Sequence, residues 1–577
     1  KIITILTAAL GALFFACSPI VSGTSSGPAS FNEGTAYKPN ANDIVEGFVI
    51  AKTADGFDKE LFTDKGIDVC GELSLTGTGF TYWYLHKNTG NEALLKSVYS
   101  IKGVLSADND YKVIPPDVMK LKDVVLSASS TEPVASTRGL GDGNVLQDPV
   151  SDAEGYALAI TKALQAYKDI SYGTNEVVAG IIDTGINMEH EDFKNGTESI
   201  VLYAKSAKTS GGSYIGNGNP FTEVPLDSNW DTDGHGTHCS GIMCALGDNN
   251  KGIAGVAWKK TKLISYQSLG FNGGGTEWAV YGALADLTNT VEILRKAPSA
   301  RTPADKAKLP SYIQNTIFQI TQKTVPINMS LGGSVASEFA FDVLTTAVKN
   351  DILPVIAMGN EGRYTAAYPA AFPGVLTVGA SSDGDVKTSF STCGSWLNVV
   401  APGQNIISLK HSENNGYVYM SGTSMATPFV TGVITYLLSF NPKLTPNQII
   451  TILEKTADKI DYTNQDMAGK YDETGFSHWY GYGRVNVYEA ARMVVEGKIP
   501  PKGEKYVETV LTVAVRYASP VYIYDGNTGA LVTMTLPYGQ QIHAEIRGLR
   551  AGSYKVVFRG KSKDVIIGND KDVLITF

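Results

Sequence analysis

Cysteine is scarce in this chain. Five in 577 residues (Cys17, Cys70, Cys239, Cys244 and Cys393) are too few and too scattered for a fold stapled by disulfides. Positive charge is short as well: 48 Lys and Arg stand against 57 acidic residues, a net charge of −9 with no strong basic stretch, which argues against nucleic acid as a partner. Among the few histidines, His86, His190, His411, His478 and His543 show no zinc-site spacing, so they read as solvent-facing or locally hydrogen-bonded side chains. Beyond residue 16 no apolar run is long enough to span a bilayer. What is abundant is apolar residue (43 %) and glycine (60), enough for a large core in a loop-rich α/β scaffold of roughly three domains.

Three short segments far apart in the chain carry chemistry: Asp183-Thr184-Gly185, His235-Gly236-Thr237-His238 and Gly422-Thr423-Ser424-Met425-Ala426. Acyl transfer needs a weak hydroxyl nucleophile, an imidazole to take its proton and a carboxylate to hold the imidazole in the right tautomer. Asp183, His235 and Ser424 supply one of each. Asp183 ends the apolar run Val177–Ile182, which reads as a buried parallel strand. His235 and Ser424 precede small-residue helical stretches, Thr237 to Ala245 and Met425 to Phe440, and so fall at helix starts, where developing negative charge is favoured. Taken singly, an Asp at a strand end is usually a cap, and Gly-Thr-Ser or Asn-Glu-Gly usually a loop or turn. Their occurrence together and in this order reverses those odds.

On these motifs, together with Val399-Val400-Ala401-Pro402-Gly403 and Gly481-Tyr482-Gly483-Arg484-Val485-Asn486, the chain resembles the subtilisin-like (subtilase, peptidase S8) serine proteases, which share the Asp, His, Ser order. Cys239, just after His238, resembles the proteinase K branch, where a free cysteine lies beneath the catalytic histidine. The resemblance implies a hydrolase: a serine endopeptidase with Asp183, His235 and Ser424 catalytic, and an oxyanion hole made by the Asn360 amide and the Ser424 N–H. For the substrate channel it implies Gly273, Gly274 and Gly275 on a strand-pairing edge, with Ser330, Leu331, Gly332, Gly333 and Gly359 opposite. Glycine there lets a substrate strand pair through its main chain, so polypeptide substrates are expected. No cofactor is expected for the chemistry. Structural calcium is common in the family, but Gly247-Asp248-Asn249-Asn250-Lys251-Gly252 departs from the usual loop spacing and points to no ligands. His238 is expected to be structural or to position its neighbour rather than to be the base.

The fold expected is α/β: a subtilisin-like, mostly parallel sheet flanked by helices, with an N-terminal α+β prodomain and a C-terminal antiparallel β-sandwich. Residues 1–17 read as a lipoprotein-type signal, Lys1 followed by an apolar stretch, ending at a lipid-anchor Cys17 in Phe14-Phe15-Ala16-Cys17. Phe14 stands where the lipoprotein pattern prefers Leu, which keeps plain secretion as the alternative to a bacterial cell-envelope lipoprotein. Residues 18–42, rich in Ser, Gly, Pro and Asn, read as a flexible tether. Residues 43–125 are similar to the inhibitory prodomain of the family, an intramolecular partner that makes the chain a zymogen, with cleavage expected in the polar Ser127 to Gly143. Residues 140–500 make the subtilisin-like domain, interrupted at about 288–324 by an insertion that reads as a lid or exosite, or as a helical excursion on the surface. Residues 504–577 alternate β-formers between turns, a sandwich pattern. A monomer is expected, anchored to a membrane through Cys17. A dead-protease adhesin and an esterase are the rival readings; the intact triad argues against the first, the strand-pairing glycines against the second.

Overall fold

The computed structural model describes residues 41–577 except 76, 115–118, 125–155, 197, 208–220, 271–273, 336, 363–366, 373, 395, 462–468, 501–510, 515–520, 527–530, 536–542, 547–548, 550–551 and 569–572. The expected signal with Cys17, nearly all of the tether and the segment 127–143 lie outside the described residues.

The N-terminal module is an antiparallel sheet in the order Val104–Val113, Ile44–Ala54, Phe80–His86, Asp68–Leu75, with the helix Asn91–Tyr99 on one face. Both faces are apolar, and the period of two along a strand sends alternate residues to different partners. Trp83 and Leu85 pack with Leu94 and Val98 of the helix, whereas Tyr82 and Tyr84 turn the other way, onto Phe339 and Trp278 of the following domain. The strand Met119–Val124, expected within this module, instead pairs antiparallel with Tyr417–Ser421 of the following domain.

The central domain is built on an eight-stranded sheet, in the order Thr222–Glu223, Val201–Ser206, Thr261–Gln267, Val177–Asp183, Val325–Met329, Ile352–Ala357, Leu376–Ser381, Val399–Pro402. All neighbours run parallel except the outermost Thr222–Glu223. Every residue of Val177–Asp183, Val325–Met329 and Ile352–Ala357 is buried, which is why these strands read as unbroken apolar runs. Thr423–Phe440 is the one helix among the described residues long and apolar enough to cross a membrane, and it lies buried in this core. Its threonines fit an apolar surrounding because Thr427, Thr431 and Thr435 each return their hydroxyl to the carbonyl four residues earlier.

The insertion begins as an extension of the helix Glu277–Arg295, which runs two turns past the expected end at Leu287 because Val291, Ile293 and Leu294 continue its buried face. The excursion then packs on the outer strands: Tyr312 bonds the main chain of Ala204 and Ser311 bonds Glu223. The C-terminal domain is two sheets, one of three strands and one of four, around Val513, Val521, Ile523 and Val556. Within it Leu511–Ala514 and Val573–Thr576 run parallel, the other pairs antiparallel.

Val177–Asp183 and Val325–Met329 pair only at Gly180 and Ile181. At Val178 the buried Gln322 side chain replaces a strand neighbour, accepting from its N–H and donating to its carbonyl, both at 2.7 Å. Gln322→Ala therefore strands two buried main-chain groups and is expected to destabilise the chain by roughly 2 to 5 kcal/mol. A urea midpoint unchanged in this variant would contradict that role.

Candidate active site

The strand Val177–Asp183 delivers Asp183 to the C-terminal edge of the sheet, where its carbonyl accepts from Ser268 and Leu269. Its Oδ1 accepts from Thr184 N–H and from His235 Nδ1, both at 2.7 Å. His235 opens the helix His235–Cys244, two residues earlier than the sequence pattern suggests. Glycine at 236 permits the approach, because a side chain there would overlap the Gly185 carbonyl and crowd Asp183. Burial disfavours a charged imidazole, but the Asp183 carboxylate and the Cys239 sulfur together outweigh it, and His235 is held well above its ordinary 6.5. Burial likewise pushes the Asp183 carboxyl up, against the pull of His235 and Thr184.

One positioning residue was not foreseen. Asp231 is buried and accepts from Thr184 Oγ1 and the N–H of Asp233 and Gly234 on one oxygen, and from Thr237 N–H and Oγ1 on the other. It thereby caps the first turn of the His235 helix and ties it to the loop after Asp183. The signal available was an acidic residue four before the histidine, in a run, Asp231-Thr232-Asp233-Gly234, that looks like any polar turn.

Ser424 sits in the first turn of Thr423–Phe440, buried, with no hydrogen-bond partner on Oγ. Pro428 lacks the N–H that would bond the Ser424 carbonyl in a regular helix. Ser330 Oγ (2.9 Å) and the Cys239 thiol (3.3 Å) donate to that carbonyl instead. Cys239 Sγ also lies 3.9 and 4.0 Å from Nδ1 and Nε2 of His235, so one thiol touches both the histidine ring and the serine main chain. Burial keeps Cys239 a neutral thiol. His238 is neutral too, lowered to about 3 by burial, and its Nε2 donates to Val418. Asn360 presents Oδ1 to the N–H and hydroxyl of Thr423, at 2.9 and 2.8 Å. With its carbonyl end so anchored, Nδ2 is its donor end. Gly359 is fixed beside it by its N–H to Thr423 Oγ1.

The proposed channel is filled by the chain itself. Val113 and Lys112 pair with Gly275 and Thr276, and Ile114 exchanges both main-chain hydrogen bonds with Gly332, at 3.0 and 2.9 Å. Gly275 has no room for a side chain, which would overlap Ser268 and Leu269. Gly274 accepts from Gly270, and Gly273 lies outside the described residues. Leu331 is buried behind the wall. Gly333 gives its N–H and carbonyl to Tyr368, and a side chain on it would crowd the Lys112 carbonyl of the channel strand.

For calcium, the region of Gly247–Gly252 identifies no set of ligands. The Asp192 carboxylate beside it is surrounded by donors, Asn249 Nδ2, Ile253 N–H and Tyr417 OH, whereas a calcium site converges oxygens on an ion. Among the described residues one cluster of three potential ligands exists, Asp183, His235 and Cys239, and its atoms are already engaged with one another. Removing the clamp tests the electrostatics: in Asp231→Ala the Asp183–His235 contact loosens, and the His235 titration followed by NMR is expected to fall toward 6.5. A titration identical to that of the unaltered protein would show that Asp231 does not set the contact.

Comparison with known proteins agrees with this arrangement. Residues 174–483 match the model of the subtilase family. The chain is 30 % identical over 346 residues to thermitase of Thermoactinomyces vulgaris, covering 60 % of this chain and 98 % of that protein. It is 31 % identical over 342 residues to subtilisin DY of Bacillus licheniformis, covering 58 % and 98 %. Among solved structures, fervidolysin of Fervidobacterium pennivorans, described as a keratinolytic enzyme related to subtilisin, superposes with a TM-score of 0.66 at 18 % identity, over 94 % of this chain and 79 % of that one, a likeness of fold. With its parallel sheet, its buried Asp183–His235 pair and a family match over more than half its length, the chain belongs to the subtilase family and is a subtilisin-like serine endopeptidase.

Proposed function

We propose that Asp183, His235 and Ser424 form the catalytic triad of an endopeptidase made as a zymogen. The observation that carries this is the 2.7 Å contact between Asp183 Oδ1 and His235 Nδ1, with Ser424 joined to the same ring through Cys239. Asp183 holds the proton on Nδ1, so Nε2 is the basic nitrogen. Nε2 takes the Ser424 proton as Oγ attacks a peptide carbonyl. The oxyanion is met by Asn360 Nδ2 and the Ser424 N–H, the latter in a helical turn that has no acceptor of its own. His235 then protonates the leaving amine, and water, deprotonated by the same nitrogen, releases the acyl-enzyme.

Polypeptide substrates fit because Gly275 and Gly332 already hold an extended strand by its main chain. That strand is the end of the N-terminal module, which supports its reading as an inhibitory prodomain. Ile114 is paired with Gly332 and Met119 with Ser421, three residues before Ser424. The bond cut in maturation is therefore proposed to lie after Ile114 and before Met119, upstream of Ser127–Gly143. Export, with anchoring through Cys17, is proposed from the sequence of residues 1–17, and full secretion is the alternative. A related cell wall-associated protease of Bacillus subtilis is 31 % identical over 329 residues, which supports an envelope or extracellular setting.

Ser424→Ala is expected to abolish both fluorophosphonate labelling and shortening of the full chain, while the wild type yields a new N-terminus within residues 115–119. Shortening retained in the variant would show that the nucleophile is misassigned. Because the base must be neutral and its pKa is raised, kcat/KM of the mature enzyme should rise with pH along an acid limb centred above 6.5. A limb centred well below that value would mean that Asp183 does not charge-pair with the base.

A further inference from the structure

The face that joins the N-terminal module to the central domain carries more acid than a buried surface tolerates. Asp108 and Asp110 come from the strand Val104–Val113, Glu277 from the start of the helix Glu277–Arg295, and Glu338 and Asp342 from the helix Glu338–Lys349. Against these five carboxyls stands, among the described residues, one buried cation, Lys52, 3.2 Å from Glu338 and 2.7 Å from Asp342. Lys52 offers one positive charge to that pair. Asp110 is fully buried and spans the interface: its Oδ2 accepts from Tyr84 OH at 2.8 Å and its Oδ1 from Trp278 N–H at 3.2 Å. Glu277 is buried with Oε2 unpartnered, facing Asp110 and Asp108.

The other titratable groups facing the cluster add no positive charge. Tyr82 donates to Asp342, Tyr111 to Asp108 and Tyr99 to the Ala107 carbonyl. Tyr281 and Cys70 are held neutral by burial. Around them lies an apolar seat in which Tyr84 stacks on Trp278 and Tyr82 tilts against Phe339. Water that would stabilise ionised carboxylates is thus shut out from Asp110, Glu277 and Glu338 while the module is docked, Asp108 and Asp342 being half-buried, and returns when it leaves.

We propose that this carboxyl cluster is a pH-operated latch: docking of the N-terminal module over the cleft takes up protons, and a rise in pH releases the module. The inference rests on the zymogen reading above, to which it adds the trigger.

Burial raises Asp110 to about 6 and Glu338 to about 8, the latter with Asp342 pushing up and Lys52 pulling down. Burial also raises Asp108, and raises Glu277 far above the ordinary carboxyl range. Groups raised in the docked state contribute stability that is complete below the free carboxyl range and is lost as pH climbs through the docked values. Docking should therefore weaken between about pH 5 and pH 8, on the order of 1,000-fold or more if Asp110 and Glu338 alone respond.

The test uses the full chain carrying Ser424→Ala, so that the module stays attached. Amide exchange of Val104–Val113 and Gly275–Thr276, corrected for the intrinsic pH dependence of exchange, should show protection in acid that falls as pH rises. Adding Asp110→Asn and Glu338→Gln, which imitate the protonated groups, should keep that protection high at pH 8. Equal corrected protection at both ends of the pH range in the Ser424→Ala chain overturns the latch, and this measurement needs no interface variant to fold. So does a double amide variant that loses protection with pH as its parent does. Because exchange is read without turnover, failure of the protease reading would show separately, as absence of fluorophosphonate labelling of the wild type at any pH.

Discussion

The hydrogen bond between Asp183 and His235 joins two buried groups, neither of which has water to turn to if the other moves away. A carboxylate in such a place is tolerated only with partners, and here they are the imidazole and the Thr184 N–H. The pair survives only if a strand end and a helix start, fifty residues apart in sequence, are held in fixed relation. The sheet fixes one through the Ser268 and Leu269 bonds to the Asp183 carbonyl, and Asp231 fixes the other by filling the first turn of the His235 helix. A parallel sheet suits this role because all its strands end on one side, so loops from several of them converge on one cleft.

The serine side is organised by a missing hydrogen bond. Pro428 frees the Ser424 carbonyl, and Ser330 and Cys239 take it up from two different walls of the cleft. Through that carbonyl the turn of Ser424, the segment that starts at Ser330 and the His235 ring become one unit. Thr423 extends it to Asn360. The four chemical groups are thus linked by bonds that do not take part in the proposed reaction, which keeps them in place before any substrate arrives.

Much of this was legible where local pattern decides. The apolar run 177–182 ending in Asp183 and the helix Asn91–Tyr99 follow from apolar period, and Gly275, which pairs with an extended strand, was expected from the family resemblance. What escaped depends on partners distant in sequence. Gly333 looks like its neighbour Gly332, yet Tyr368 consumes its main chain. Met119–Val124 has no apolar signature of a separate domain and finds its register only against Tyr417–Ser421. Asp110, Glu277 and Glu338 are unremarkable acids until docking of the module removes their water.

The most direct test of the central claim is a crystal structure of the mature chain bearing a phosphonate on Ser424. The arrangement requires the phosphonyl oxygen to lie within hydrogen-bond distance of both Asn360 Nδ2 and the Ser424 N–H, with His235 Nε2 in reach of the serine oxygen and Nδ1 still on Asp183. A phosphonyl oxygen turned to solvent, or a histidine ring swung away from Asp183 with the cleft cleared, would contradict it.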